Sequence, residues 1–159
     1  MQDAINEPIN KELFSATLYL SMTSHFADQN LPGFDAWLRV QVEEERDHGM
    51  KFYDYLVDRG GRVMLNAIAA PRTEWKSSLE AFKEVESHEA KVTASINALY
   101  ELALKEKDYP TQVTLQWFIT EQVEEEKNAE EIVQPLELID AHGTAVMMLD
   151  HRLGKRGGD

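Results

Sequence analysis

The chain has 159 residues, of which 43% are apolar, enough for one domain with a real core and against a disordered chain. It carries 29 acidic and 16 basic residues, a formal charge of −13, which argues against a nucleic-acid binder and suits a protein that handles cations. It has no cysteine, which excludes a disulfide scaffold, a thiolate zinc site, a cysteine-held iron–sulfur cluster and a thiol nucleophile, and fits a reducing cytoplasm. No apolar run is long enough for a membrane span, and the opening Met1-Gln2-Asp3-Ala4 lacks the basic and apolar regions of a signal peptide.

Apolar spacing is helical almost throughout, so an all-α fold is expected. The first stripe is Ile5, Ile9, Glu12, Ala16, Tyr19, Thr23 and Phe26, ending at the breakers Gln29 to Gly33. Pro8 sits in its first turn or bends it. The second stripe is Phe34, Leu38, Gln41, Glu45, His48, Phe52 and Leu56, stopped by Gly60-Gly61. The third is Phe82, Val85, Glu89, Val92, Ile96, Leu99 and Ala103. The fourth is Thr114, Phe118, Gln122, Glu125, Ala129, Ile132, Leu136 and Ile139, with Pro110 at its start and Pro135 expected to kink its far end. A short fifth segment follows Gly143, from Thr144 to Leu153, and residues 155–159 read as a mobile tail on a single domain of residues 1–154.

Connection lengths set the topology. Short turns join helices one and two, and three and four, so each pair is antiparallel. Between them lie about 17 residues, Gly61 to Ser77, which reach roughly 55 Å when extended. A helix of about 27 residues spans only about 40 Å. One long crossover therefore carries the chain back along the bundle, and helix three runs parallel to helix two. The apolar residues of the crossover predict that it packs on the bundle.

Each stripe swaps apolar core positions for potential metal ligands near its middle: Glu12; then Glu45 and His48; then Glu89; then Gln122 and Glu125. Four helices thus bring one polar layer to a common height. A buried unpaired carboxylate costs several kcal/mol, against a total stability of about 5–15 kcal/mol. No lysine or arginine occupies these stripe positions. Two divalent cations would balance Glu12, Glu45, Glu89 and Glu125, with Glu45 bridging and His48 adding one nitrogen. Such an oxygen-rich donor set suits iron or manganese, with zinc as a competitor. The Glu45-x-x-His48 spacing is weak evidence alone; the joint placement on four stripes is strong.

Beside this layer, Glu44, Glu121 and Glu124 flank Glu45, Gln122 and Glu125 and offer a third cation site, although runs of glutamate also serve as solvated faces. Tyr19 either hydrogen-bonds a ligand or gives up an electron, or is a buried tyrosine with a satisfied hydroxyl. Trp117 reads as packing. His25, His88, His142 and His151 read as surface or packing residues, with His142 and His151 placed where a subunit channel would use them.

The chain resembles the prokaryotic non-haem ferritins along nearly its whole length. The resemblance rests on Asn10-Lys11-Glu12-Leu13-Phe14-Ser15-Ala16-Thr17-Leu18-Tyr19, on Val42 to His48, on His88-Glu89, and on Leu115 to Lys127. It implies a ferritin-like four-helix bundle with one long crossover and a short fifth C-terminal helix. It also implies one iron site at Glu12, Glu45 and His48, and a second at Glu45, Glu89 and Glu125 with Gln122 beside it. A third site falls on Glu44, Glu121, Glu124 and Glu125, and Tyr19 stands near the dinuclear centre. The implied activity is a ferroxidase, with Glu12, Glu45, His48, Glu89 and Tyr19 as its working residues. It would oxidise Fe(II) with dioxygen or hydrogen peroxide and store ferric oxyhydroxide inside a homo-oligomeric shell, a 24-mer. No haem is expected, because Arg46 stands where related bacterioferritins carry the haem-binding methionine, and Gln122-Val123-Glu124-Glu125 replaces their second Glu-x-x-His. Two rival readings remain at this point: a diiron oxygenase or peroxidase acting on another substrate, and a bundle whose acidic layer is only structural.

Overall fold

The computed structural model describes residues 1–139 and 143–155, and these are all helix, turn and extended connection. The elements are α1 (Gln2–Asp28), α2 (Pro32–Asp58), α3 (Ser78–Glu106), α4 (Tyr109–Ile139) and α5 (Gly143–Leu153). His142 and residues 156–159 of the expected tail lie outside the described residues.

Local chemistry sets the ends. Pro32 opens α2 at a position where its missing N–H costs nothing. The Ser77 hydroxyl accepts from the Glu80 amide at 3.1 Å and so caps α3. Asp108 Oδ1 accepts from the Thr111 amide at 3.2 Å and starts α4. Two turns need positive φ from residues that have a Cβ, Asn30 at 57° and Lys107 at 56°. Asparagine tolerates that region; lysine does so at a cost. Pro8 and Pro135 both lie inside their helices. Pro8 is well past the first turn of α1, so the helix forgoes one backbone bond there.

Four long helices bury two separate apolar clusters. One joins Met22, Phe26, Phe34, Trp37, Leu38, Phe82, Ile132 and Leu136 at the end near the α1–α2 turn. The other joins Ile5, Ile9, Phe52, Leu56, Ile96, Leu99, Leu115 and Phe118 at the opposite end. On every long helix the residues between the two clusters are the carboxylates and their polar companions.

The crossover runs up α1 as expected, but hydrogen bonds hold it more than apolar packing does. Asn6 donates to Arg62 O at 3.1 Å and accepts from Met64 N at 2.7 Å. One turn later Asn10 donates to Met64 O at 3.0 Å and accepts from Asn66 N at 2.7 Å. Ser21 donates to Arg72 O at 2.7 Å. Met64, Leu65 and Ile68 stay exposed. Trp75 is the buried anchor, edge-on to the His25 ring. The reason is geometric: an extended strand lying across a helix keeps only alternate side chains near it, and the asparagine amides satisfy its backbone.

The fifth helix docks on the start of α2. Asp150 Oδ1 accepts from Phe34 N at 2.8 Å, covering one of the free amides of that helix start. The approach is close enough that a Cβ on Gly33 would meet Asp150 O at 1.6 Å. Gly33→Ala is therefore expected to undock α5, exposing Leu149 and Leu153, while the four long helices persist. Faster proteolysis within α5 at nearly unchanged helical circular dichroism is the measurement that checks it.

Candidate metal centre

The polar layer is built from the middle of each long helix. Glu12 comes from α1, Glu45 and His48 from α2, Glu89 from α3, Gln122 and Glu125 from α4, and all six are buried. Helical periodicity explains the convergence. Each residue sits on the inward stripe of its helix, and His48 follows Glu45 by three residues, hence on the same face.

Glu12, Glu45 and His48 bring ligand atoms within 4.8 Å of one another. A second group of the same kind joins His48, Glu121 and Glu125. The His48 ring lies between them, with Nδ1 3.9 Å from Glu45 Oε2 and Nε2 3.9 Å from Glu121 Oε1. Both separations are too long for hydrogen bonds. They suit two atoms that share a cation, since donors about 2.1 Å from an ion stand roughly 3–4 Å apart.

The remaining carboxylates are held by donors. The Tyr19 hydroxyl donates to Glu89 Oε1, and Gln122 Nε2 donates to Glu89 Oε2 at 3.2 Å and to Glu89 O at 3.3 Å. Gln41 Nε2 donates to Glu125 Oε2 at 2.8 Å. Tyr19 is fully buried, so its hydroxyl belongs to the layer. Glu44 is half-buried and close enough to Glu125 to act on its charge. Glu121 is also half-buried, whereas Glu124 is exposed and joins neither group. Of the four residues suggested for a third site, Glu121 and Glu125 fall in one such group with His48, while Glu44 lies near Glu125 and Glu124 faces outward.

Electrostatics shows the strain of this layer. Burial is the largest cause that raises the Glu12 carboxyl to about 7, with Glu89 adding to it. Burial, then Glu89, raises Glu125 to about 8, although Gln41 opposes the shift. Burial pushes Glu45 well above the usual carboxylate range, with Glu12 and Glu89 next in effect. Glu89 is raised by burial too, against the pull of Tyr19 and Gln122. Burial lowers His48 to about 4, with Lys51 second, so its ring is neutral and free to ligate at pH 7. Lys51 itself sits 3.8 Å over the Trp117 ring, which stands edge-on to His48. Trp117 is exposed and packs beside the layer.

A cation fits these residues. Glu12 Oε2 and Glu45 Oε1 are buried with no hydrogen-bond partner, and a buried acceptor without a donor is costly. Oxygen donors with one imidazole match a hard or borderline divalent ion. A cavity of about 760 Å³ between α1, the crossover and α3 touches none of these carboxylates. The layer, unlike that cavity, gathers charged groups away from water.

Gln41 was legible as a polar residue on a core stripe, yet its role was not. The stripe put it one turn before Glu45, and only the packing of α2 against α4 shows that it faces Glu125. Likewise His88 reads as packing, but its Nε2 lies 2.7 Å from the Ser15 hydroxyl and its ring is edge-on to Tyr19. His25 is buried and His151 exposed.

A family model described as a ferritin-like domain matches residues 2–139. A bacterial non-heme ferritin of Bacteroides fragilis is 38% identical over 156 residues, covering 98% of this chain and 97% of that protein. One of Campylobacter jejuni is 40% identical over 146 residues, covering 92% and 87%. A solved open pore ferritin of the hyperthermophilic archaeon Archaeoglobus fulgidus is 48% identical with a TM-score of 0.96, covering 98% of this chain and 96% of that one.

The raised carboxyls predict a pH dependence for the metal-free protein. Each binds more protons folded than unfolded, so its contribution is full below the unfolded value of about 4.5 and fades as pH rises through about 7 to 8. His48 and His88, lowered to about 4, act oppositely, but only below about 6.5. The window from pH 6.5 to 8 therefore isolates the carboxyls. The melting temperature of metal-free protein should fall across it, and saturating Co(II) should remove the fall, as scanning calorimetry at stepped pH would show.

Proposed function

The chain belongs to the ferritin-like domain family, and from that premise we propose that it is an iron-storage protein with ferroxidase activity. It oxidises Fe(II) at a dinuclear centre and keeps the ferric oxyhydroxide inside a hollow homo-oligomeric shell, a 24-mer. The observation that carries this reading is the burial of four carboxylates and one neutral imidazole in a single layer, with no buried lysine or arginine among the described residues. Relatives named bacterial non-heme ferritin, matched over nearly the full chain, support it.

Iron is both substrate and cargo. In this reading Glu12, Glu45 and His48 hold one ferrous ion, while Glu45, Glu89 and Glu125 hold the second, with Gln122 alongside. Glu121 and Glu125, with Glu44 and Glu124 nearby, receive a third ion in transit. Metal binding expels the protons that the raised carboxyls keep in the metal-free protein, so affinity rises with pH. Each of two ferrous ions gives up one electron. Dioxygen takes the pair and, with two protons, leaves as hydrogen peroxide; peroxide takes two electrons from a further pair and, with two more protons, leaves as two waters. The protein's part is to fix separation and charge and to keep solvent out of the layer. Tyr19 orients Glu89 through its hydroxyl. The net charge of −13 draws cations towards the particle, an effect that weakens with salt. No helix among the described residues is long and apolar enough to cross a membrane, and a cytoplasmic store completes the reading.

Glu45→Ala is expected to slow rapid ferrous oxidation by about a hundredfold or more, because the carboxylate common to both ions is lost. Stopped-flow absorbance on the assembled particle reads this directly, and an unchanged rate would sink the assignment. Light scattering after size exclusion should show a particle of many subunits that gains mass on incubation with Fe(II) in air.

A further inference from the structure

Glu125 is the carboxylate that belongs to two neighbourhoods. Its ligand atom lies with those of His48 and Glu121 in one group. It also feels the charge of Glu89 and acts on Glu45 in the deeper part of the layer. A side chain in that position must be told which way to face, because a free carboxylate rotates readily about its last torsion. It would then offer both oxygens to one ion, or swing from the inner ions to the outer one. Glu89 has no such freedom, since Tyr19 and Gln122 each take one of its oxygens. Glu12 Oε2 and Glu45 Oε1 have no protein donor and are left for cations.

We propose that Gln41 is the positioning residue for Glu125: by donating from Nε2 to Glu125 Oε2 at 2.8 Å, it leaves one carboxylate oxygen for metal and thereby divides cations between the inner pair and the outer group. The inference rests on the dinuclear reading above and adds to it a residue that sets how the ions are shared. Gln41 is 1% exposed and reaches α4 from the inward face of α2, one turn ahead of Glu45. An amide suits the task. It donates to a carboxylate without adding charge, so Glu125 keeps its negative charge for the metal. A lysine there would neutralise that charge, and a leucine would leave the second oxygen free to turn.

The test is a Co(II) titration of metal-free assembled protein, followed by calorimetry and by the ligand-field absorption of cobalt. It compares wild type, Gln41→Leu, Gln41→Glu, Glu125→Gln and the Gln41→Leu/Glu125→Gln pair. In Gln41→Leu the first cobalt, on Glu12, Glu45 and His48, should bind as in wild type. The second should bind about tenfold more weakly, the usual scale for losing a partner that orients a ligand, with an altered cobalt spectrum. In ferrous oxidation the iron concentration at half-maximal rate should rise while the first turnover at saturating iron changes little. Once Glu125 is replaced, Gln41→Leu should have no further effect on cobalt binding, because Gln41 acts through that residue. Additive effects of the two substitutions, or a Gln41→Leu titration that matches wild type, overturn the proposal. Tighter cobalt binding by Gln41→Glu also overturns it, since residue 41 would then be a ligand itself. If Gln41→Leu fails to assemble, Gln41→Ser removes the donor reach with less disturbance and is judged by the same criteria. Wild-type protein that binds no cobalt overturns the dinuclear reading itself, a result distinct from any difference between the variants.

Discussion

Like charges forced together away from water are the constraint around which this bundle is organised. Glu12, Glu45, Glu89 and Glu125 share a layer from which solvent is largely excluded. Without cations they cannot all ionise, and the metal-free protein answers by keeping protons: Glu12 shifts to about 7 and Glu125 to about 8. A hydrophobic layer would be more stable. The acidic layer costs stability in the metal-free protein, and cations bound there would offset that cost, so metal affinity and a weakened resting fold would have one origin.

The helices tolerate this because the layer is sandwiched. One apolar cluster lies towards the α1–α2 turn and another towards the α3–α4 turn, each with its own aromatic packing. Phe26 stacks on Phe34 at one end, and Phe52 stacks on Phe118 at the other. Each cluster closes one side of the layer to water. The ends are then tied by polar staples, Arg59 to Asp108 at 2.9 Å below and Asp150 to the start of α2 above. These hold the helices in register, and register is what keeps four mid-helix carboxylates at one height.

Within the layer the polar partners are unevenly shared. Glu89 is fixed by Tyr19 and Gln122, and Glu125 by Gln41, while Glu12 and Glu45 each keep a buried oxygen without a donor. The centre thus has a held side on α3 and α4 and an open side on α1 and α2. For a bound cation, the rigid donors would set distances in advance and the open oxygens would supply the attraction.

Most of this was legible in the sequence because helical periodicity is a strong signal: inward stripes, their polar interruptions at Glu12, Glu45, His48, Glu89, Gln122 and Glu125, and the one long connection follow from spacing alone. Charge arithmetic then pointed to cations. What spacing cannot carry is the rotation and mutual approach of side chains across helices. The bond from Gln41 to Glu125 joins residues 84 positions apart. The exposure of Glu124 beside buried Glu125 depends on the rotation of α4, and the grip of Asn6 and Asn10 on the crossover depends on where an extended segment comes to rest. A stripe names the face of a helix that turns inward; only the packed bundle decides which atoms on that face meet.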